Sequence, residues 1–144
     1  MAEDLNTGLL LFLPYRAMET RVFEELAAAG FGDITPSQAR VFQRIAPDGS
    51  RLSDLARQAG ITKQSAGFLV DQLERLGYVD RVPDPDDGRA RLVRVAERGH
   101  RAVEASRTVV ARVEAEWEAH LGTRRMAQLR GILTDLREIT DPWR

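Results

Sequence analysis

The sequence predicts a mainly α-helical fold carrying one small β wing, and three observations predict it. Apolar residues recur at helical spacing along most of the 144-residue chain. Between Arg51 and Ala96, two short helical patterns stand either side of Gly60, the second ending at Gly77. Directly after them, two β-rich runs flank a loop of prolines, aspartates and a glycine. Helix, turn, helix and ribbon in that order make a winged helix-turn-helix, a shape suited to placing its second helix in a DNA major groove.

The chain begins with Asn6 and Thr7, either of which can cap a helix. Leu9 to Leu13 is a solid apolar run, too short for a membrane span and too apolar for a solvated surface. Either a helix starts near Leu13 with Pro14 in its first turn, or a helix from Thr7 is kinked at Pro14. Periodicity resumes through Met18, Val22, Phe23 and Leu26, and Gly30 and Gly32 end it. This segment is expected to bury part of its apolar side against a second copy of the chain. Thr35-Pro36 is a cap followed by proline at the first helical position, starting a helix through Ala46 with Ala39, Val41, Phe42 and Ile45 inward. Pro47-Asp48-Gly49 is a turn, and residues near Arg51-Leu52 are expected to add a very short third strand to the ribbon.

In the first helix of the central pair, Ser53 is the expected cap, Asp54 complements the helix dipole, and Leu55, Ala56 and Ala59 share a side. Thr62 is the expected cap of the second helix, in which Leu69, Leu73 and Leu76 form the inner stripe, with Ala66 extending it and Val70 at its border. The N-terminal end is polar or small: Thr62, Lys63, Gln64, Ser65 and Gly67. Lys63 is the sole lysine of the chain, and a cation in a first turn opposes the dipole unless a phosphate lies near. Gln64 and Ser65 carry groups able to read base edges. Gly67 costs helix propensity and so suggests a close approach, and Phe68 lies off the apolar stripe, expected to be partly buried, with a thymine methyl as its alternative neighbour.

Tyr78–Val82 and Arg91–Val95 read as the two strands, which place Arg81 and Arg91 on the ribbon. The intervening Pro83 to Ala90 holds three aspartates, which repel phosphate and so make sense only as local turn-closers that hold Arg89 or Arg91 in position. Arg89 beside Gly88 is expected at the tip, where an arginine can enter a narrow minor groove. Glu97 to Leu121 reads as one long helix with Val103, Val110, Val113 and Trp117 recurring. Gly122 breaks it, and Thr123 is expected to cap a last helix striped by Met126, Leu129, Ile132, Leu133, Leu136 and Ile139. The expected organisation is a single domain over 1–144. In it, 35–96 is the winged helix-turn-helix, and 1–34 with 97–144 is a helical dimerisation region.

Net charge is −1, but its distribution is uneven. Residues 1–35 carry two arginines against six acids, residues 36–101 twelve basic against nine acidic groups, and residues 102–144 seven of each. The positive excess falls on the central segment. There are no cysteines, hence no disulfide or thiol switch. His100 and His120 are too few and too far apart for a metal site, and no metal or other cofactor is expected. No phosphate loop or activated nucleophile is present, so an enzyme is not expected. The start lacks a basic stretch and a cleavage site, and a cytoplasmic protein without membrane association is expected.

The run Asp87-Gly88-Arg89-Ala90, following Leu73-Glu74-Arg75-Leu76-Gly77-Tyr78-Val79, resembles the MarR family of transcriptional regulators. That family joins a leucine-rich recognition helix ending in glycine to a strand, an Asp-x-Arg wing, and a strand leading to a Leu-Thr-x-x-Gly helix start. Asp87 and Arg89 match the Asp-x-Arg pair, and Gly99 matches the last glycine. Val95-Ala96 stands in place of Leu-Thr, and Phe68 stands where many members carry a polar or basic residue. The resemblance covers nearly the whole chain in element order, with specific motifs over about residues 53–99.

The resemblance implies a homodimeric, sequence-specific regulator of double-stranded DNA, usually a repressor, released by a small aromatic or phenolic effector. It implies that Arg89 is the minor-groove residue and that Asp87 orients it. The expected DNA-binding set is Thr62, Lys63, Gln64, Ser65, Gly67, Phe68, Arg81, Asp87, Arg89 and Arg91. Tyr15, Arg16 and Phe42 are the candidate effector contacts, an aromatic wall and a carboxylate anchor. The alternative is a winged helix that binds protein rather than specific DNA.

Overall fold

A computed structural model describes residues 4–143. The described residues form six α-helices and a two-stranded antiparallel ribbon. The chain divides into two units, residues 1–25 with 106–144, and residues 26–105. The second unit thus takes in residues on both sides of the 35–96 segment.

The 26–105 unit is the head. Helix α2 (Pro36–Phe42) starts with a reciprocal cap: the Thr35 hydroxyl accepts from the Gln38 amide at 3.2 Å, and the Gln38 side chain accepts from the Thr35 amide at 3.0 Å. The helix stops at Phe42, short of the expected Ala46, because Gln43, Arg44 and Ile45 are carried into a turn. Helix α3 (Leu52–Ala59) begins one residue before the expected cap. Arg51 holds the cap position without a side-chain bond, so Ser53 lies inside the helix. Gly60 closes α3 at φ 70°, a left-handed conformation that glycine adopts without steric cost.

Helix α4 (Lys63–Arg75) is capped by Thr62, whose hydroxyl accepts from the Ser65 amide at 3.0 Å. Its inner face is Ala66, Val70 and Leu73, each fully buried. Leu69 and Leu76, expected at the centre of that face, flank it half-buried. Both sets have the same period, and leucine content alone pointed to the wrong centre. The face is set by packing on α2 and α3, with Gln38 donating to Gln72 at 3.1 Å from the α2 side.

Strands β1 (Val79–Asp84) and β2 (Asp87–Val95) are longer than their sequence pattern, and the turn between them is only Pro85–Asp86. Pairing runs from Val79↔Val95 to Pro83↔Arg91, then jumps to Asp84↔Asp87, so Gly88, Arg89 and Ala90 form a bulge on β2. Arg89 therefore lies past the tip, within the strand. The expected third strand is a single bridge at Ser50, whose amide and carbonyl both pair with Val93.

Helix α5 (Glu97–Leu121) has the expected bounds. Gly99 in its first turn sits against the Tyr78 carbonyl, where an added Cβ would be 2.3 Å from that oxygen and 3.0 Å from Phe42. Glycine there permits the close approach, and the loss of a Leu-Thr helix start leaves it intact: the Ala96 amide still donates to Tyr78 at 2.9 Å.

The other unit is helical. Helix α1 (Thr7–Leu26) runs through Pro14 as one element, its start capped by Asn6 accepting from the Leu9 amide at 2.9 Å. Helix α6 (Thr123–Thr140) is preceded by Gly122 at the cap position, so Thr123 is its first residue rather than its cap. Along α5 the buried positions are Gly99, Ala102, Val109 and Val113, while Val103, Val110 and Trp117 are half-buried. Ion pairs Arg21–Glu116, Arg112–Glu25 and Arg130–Glu114 join α1, α5 and α6 within this unit. Leu9 to Leu13, Ile132, Leu133, Leu136 and Ile139 are exposed.

Candidate nucleic-acid interface

Two helix starts and both strands of the ribbon meet around a groove on the head. It holds about 460 Å³ and is lined by Arg51, Leu52, Ser53, Lys63, Arg81, Ala90, Arg91 and Val93. Four of these residues are cationic, but not equally available. Arg81 is paired with Asp71 at 2.8 Å and Glu74 at 2.9 Å, and only 17 % of its side chain is exposed. It ties β1 to α4. Arg51 is paired with Asp84. Lys63 and Arg91 have no ion pair among the described residues, and Arg91 is steered by a bond to the Arg81 carbonyl at 3.1 Å.

The wing aspartates do work locally: Asp87 on the backbone of Arg89, and Asp84 on Arg51, an arginine outside the expected pair of Arg89 and Arg91. Asp84, 7 % exposed, accepts from Arg51 Nε at 3.0 Å and Nη2 at 2.8 Å, and its other oxygen accepts from the Asp86 amide at 2.9 Å. The Asp86 amide, then the Arg51 guanidinium, hold the Asp84 carboxyl below the usual carboxylate range. Thus Arg51, at the start of α3, anchors the ribbon. Asp87 accepts from the Arg89 amide at 3.1 Å, so it shapes the bulge that carries Arg89 rather than pairing with the guanidinium.

Of the remaining expected residues, Thr62, Lys63, Gln64 and Ser65 are exposed together at the start of α4. Gly67 faces Leu52, with 3.4 Å to an added Cβ, so its close neighbour is α3. Phe68 is 59 % exposed instead of partly buried. The candidate effector residues fall in both units. Phe42 belongs to the head core, edge-on to Tyr78 with ring centres 6.4 Å apart. Tyr15 and Arg16 are exposed on α1, where the Tyr15 hydroxyl donates to Glu19 at 2.8 Å.

One cluster was not read from the sequence. The Arg98 guanidinium donates to the Leu76 carbonyl at the end of α4 at 2.6 Å, to Asp33 at 2.9 Å and to Gly30 at 3.1 Å, and lies 4.4 Å over the Tyr78 ring. The buried Tyr78 hydroxyl donates to the same Asp33. Burial pushes the Asp33 carboxyl up, but the bonds from Tyr78 and Arg98 outweigh it and leave it lowered. Burial, then the Asp33 bond, push the Tyr78 phenol well up. A cation at a helix C-terminus satisfies free carbonyls and complements the dipole. Arg98 thereby holds the exit of α4 as Thr62 holds its entry. The sequence signal was an arginine and a glycine adjacent in the first turn after the wing, visible but without a partner until Asp33 is brought near.

A helix, a left-handed turn, a second helix capped by Thr62 and a bulged ribbon define a winged helix-turn-helix protein. Residues 32–90 match the sequence profile of the MarR family. Over 139 residues the chain is 29 % identical to the HTH-type transcriptional regulator FarR of Neisseria gonorrhoeae, covering 96 % of this chain and 92 % of that protein. Wild-type MarR from E. coli in its apo form superposes with a TM-score of 0.70 at 23 % identity, over 93 % of this chain and 98 % of that one. The Mycobacterium tuberculosis MarR family protein Rv2887 in complex with salicylic acid gives 0.66 at 24 % identity, over 94 % and 99 %. In residues 32–90 and in fold the chain is similar to the MarR family of winged helix-turn-helix regulators.

Proposed function

We propose that the protein is a homodimeric repressor that binds a pseudo-palindromic operator through α4 and the wing and is released by a small effector. The observation that carries the DNA contact is the groove. Lys63 and Arg91, cations without acidic partners among the described residues, face one space beside the exposed start of α4. Lys63 in that first turn opposes the dipole and gains only when an anion arrives. Phosphates in the groove would place Gln64 and Ser65 at base edges and Arg89 at the adjacent minor groove. Asp87 then acts through the Arg89 backbone, and Arg81 through its hold on α4.

Homodimerisation is supported by the apolar surface of the helical unit, where Leu9 to Leu13 and Ile139 lie exposed. Twofold symmetry implies half-sites about one helical turn apart, ~10 bp. An effector would act by binding best to a conformation whose head spacing does not match the operator. Support for an aromatic acid comes from the salicylic acid complex of the mycobacterial relative. Tyr15 and Arg16 are the residues of this chain proposed to meet it, with Phe42 positioned in the head core. In the residues described, no helix is long and apolar enough to cross a membrane.

The test is selection of bound duplexes from a random pool, followed by anisotropy titration of the winner at several salt concentrations. Two related half-sites and a steep negative salt slope are expected. Enrichment of no sequence, or a flat slope, would overturn the proposal.

A further inference from the structure

The outward face of α4 carries an aromatic residue that its own fold does not use. Ala66, Val70 and Leu73 close the inner face completely. Gln64, Phe68, Asp71 and Arg75 recur at spacings of four, three and four on the opposite side, and all four are exposed. Asp71 is occupied by Arg81 at 2.8 Å. Phe68 leaves 59 % of its surface in water, one turn from the polar start of the helix. A phenyl ring so placed has lost its hydrophobic gain on folding and regains it only when something apolar covers it. The major groove offers one apolar group, the C5 methyl of thymine, which projects into the groove where a recognition helix lies.

We infer that Phe68 is a specificity-determining residue that packs on one or more thymine methyl groups, so that each operator half-site requires thymine opposite the centre of α4. The inference rests on the DNA-binding proposal above and adds the base it selects. Gln64, one turn earlier on the same stripe, lies toward the neighbouring base pair and has the bidentate amide suited to adenine. Thymine at the position read by Phe68 is thus expected in a fixed register with the base read by Gln64.

The experiment replaces each thymine of the selected duplex by uracil in turn, which removes the methyl and leaves the pairing edge unchanged. Binding is read by anisotropy for the full chain, for Phe68→Ala and for Phe68→Leu. Because Phe68 is exposed, these variants are expected to keep the wild-type melting temperature, which is measured alongside. Wild type is expected to lose about fourfold in affinity for each methyl that Phe68 covers. Phe68→Ala is expected to bind the thymine duplex more weakly and to be indifferent to uracil at those positions, with Phe68→Leu between the two. Specific binding by wild type that is insensitive to uracil at every position would overturn the inference while leaving the DNA-binding reading standing. So would an unchanged uracil penalty in Phe68→Ala. Failure of wild type to prefer any duplex would overturn the DNA-binding reading and this inference with it.

Discussion

The head and the helical unit are built from similar amounts of apolar residue but spend them differently. In the head, Leu55, Ala66, Val70, Leu73 and Tyr78 reach zero exposure, and Val41, Val79 and Val93 come close to it. In the helical unit, among the described residues, only Val109, Val113 and Met126 are buried, while leucines and isoleucines of α1 and α6 face outward. The head closes its core within one chain. The helical unit is held by ion pairs and leaves its apolar stripes uncovered, which is the signature of a surface awaiting a partner. Substituting an apolar residue should therefore cost self-association in the helical unit and folding stability in the head.

The largest expected effect lies in the helical unit. Replacing Leu10 and Ile139 together by aspartate should abolish self-association while leaving helical circular dichroism nearly unchanged. Light scattering during size exclusion would show half the mass. A variant that stays dimeric would place the interface elsewhere. In the head, Leu55→Ala should destabilise by about 2–5 kcal/mol, because a fully buried leucine leaves a cavity. A chemical denaturation series checks it, and a loss below about 1 kcal/mol would show that the head core is looser than its burial indicates.

A smaller effect separates the wing from the rest of the head. The Asp84 carboxyl is held low by the Asp86 amide and Arg51. Its contribution is therefore complete above the ordinary carboxylate range, near pH ~4, and is lost as pH falls through the lowered folded value. Melting temperatures of wild type and Asp84→Asn should differ at neutral pH and converge in acid. A difference that is constant with pH would mean that the Arg51–Asp84 pair does not anchor the ribbon through its charge.

The two regions also differ in how far they could be read from residues alone. Punctuation was legible: Thr35-Pro36, Thr62 and Gly60 cap or close helices as their chemistry requires, and α5 spans its pattern from Glu97 to Leu121. What failed was any feature decided by a distant neighbour. The inner face of α4 moved from Leu69 and Leu76 to Val70 because packing on α2 and α3 picks the face, not residue size. Asp84 found Arg51, 33 residues away, rather than the nearby arginines. The Asp33–Tyr78–Arg98 cluster joins three segments that carry no shared local pattern. At the candidate interface, residue types at the start of α4 were readable from sequence. Their electrostatic availability was not, since it depends on which arginines are already paired, as Arg81 is with Asp71 and Glu74.

The central claim is that DNA contact resides in the head and not in the helical unit. The most direct measurement compares salt slopes of DNA binding for Lys63→Ala/Arg91→Ala and for Arg124→Ala/Arg125→Ala. Each variant loses two cations, one pair from the head groove and one from the start of α6. The head variant should lower the log–log slope by about two and weaken binding, while the α6 variant should match wild type. Equal slopes for the two variants, or an unchanged slope in the head variant, would contradict the account.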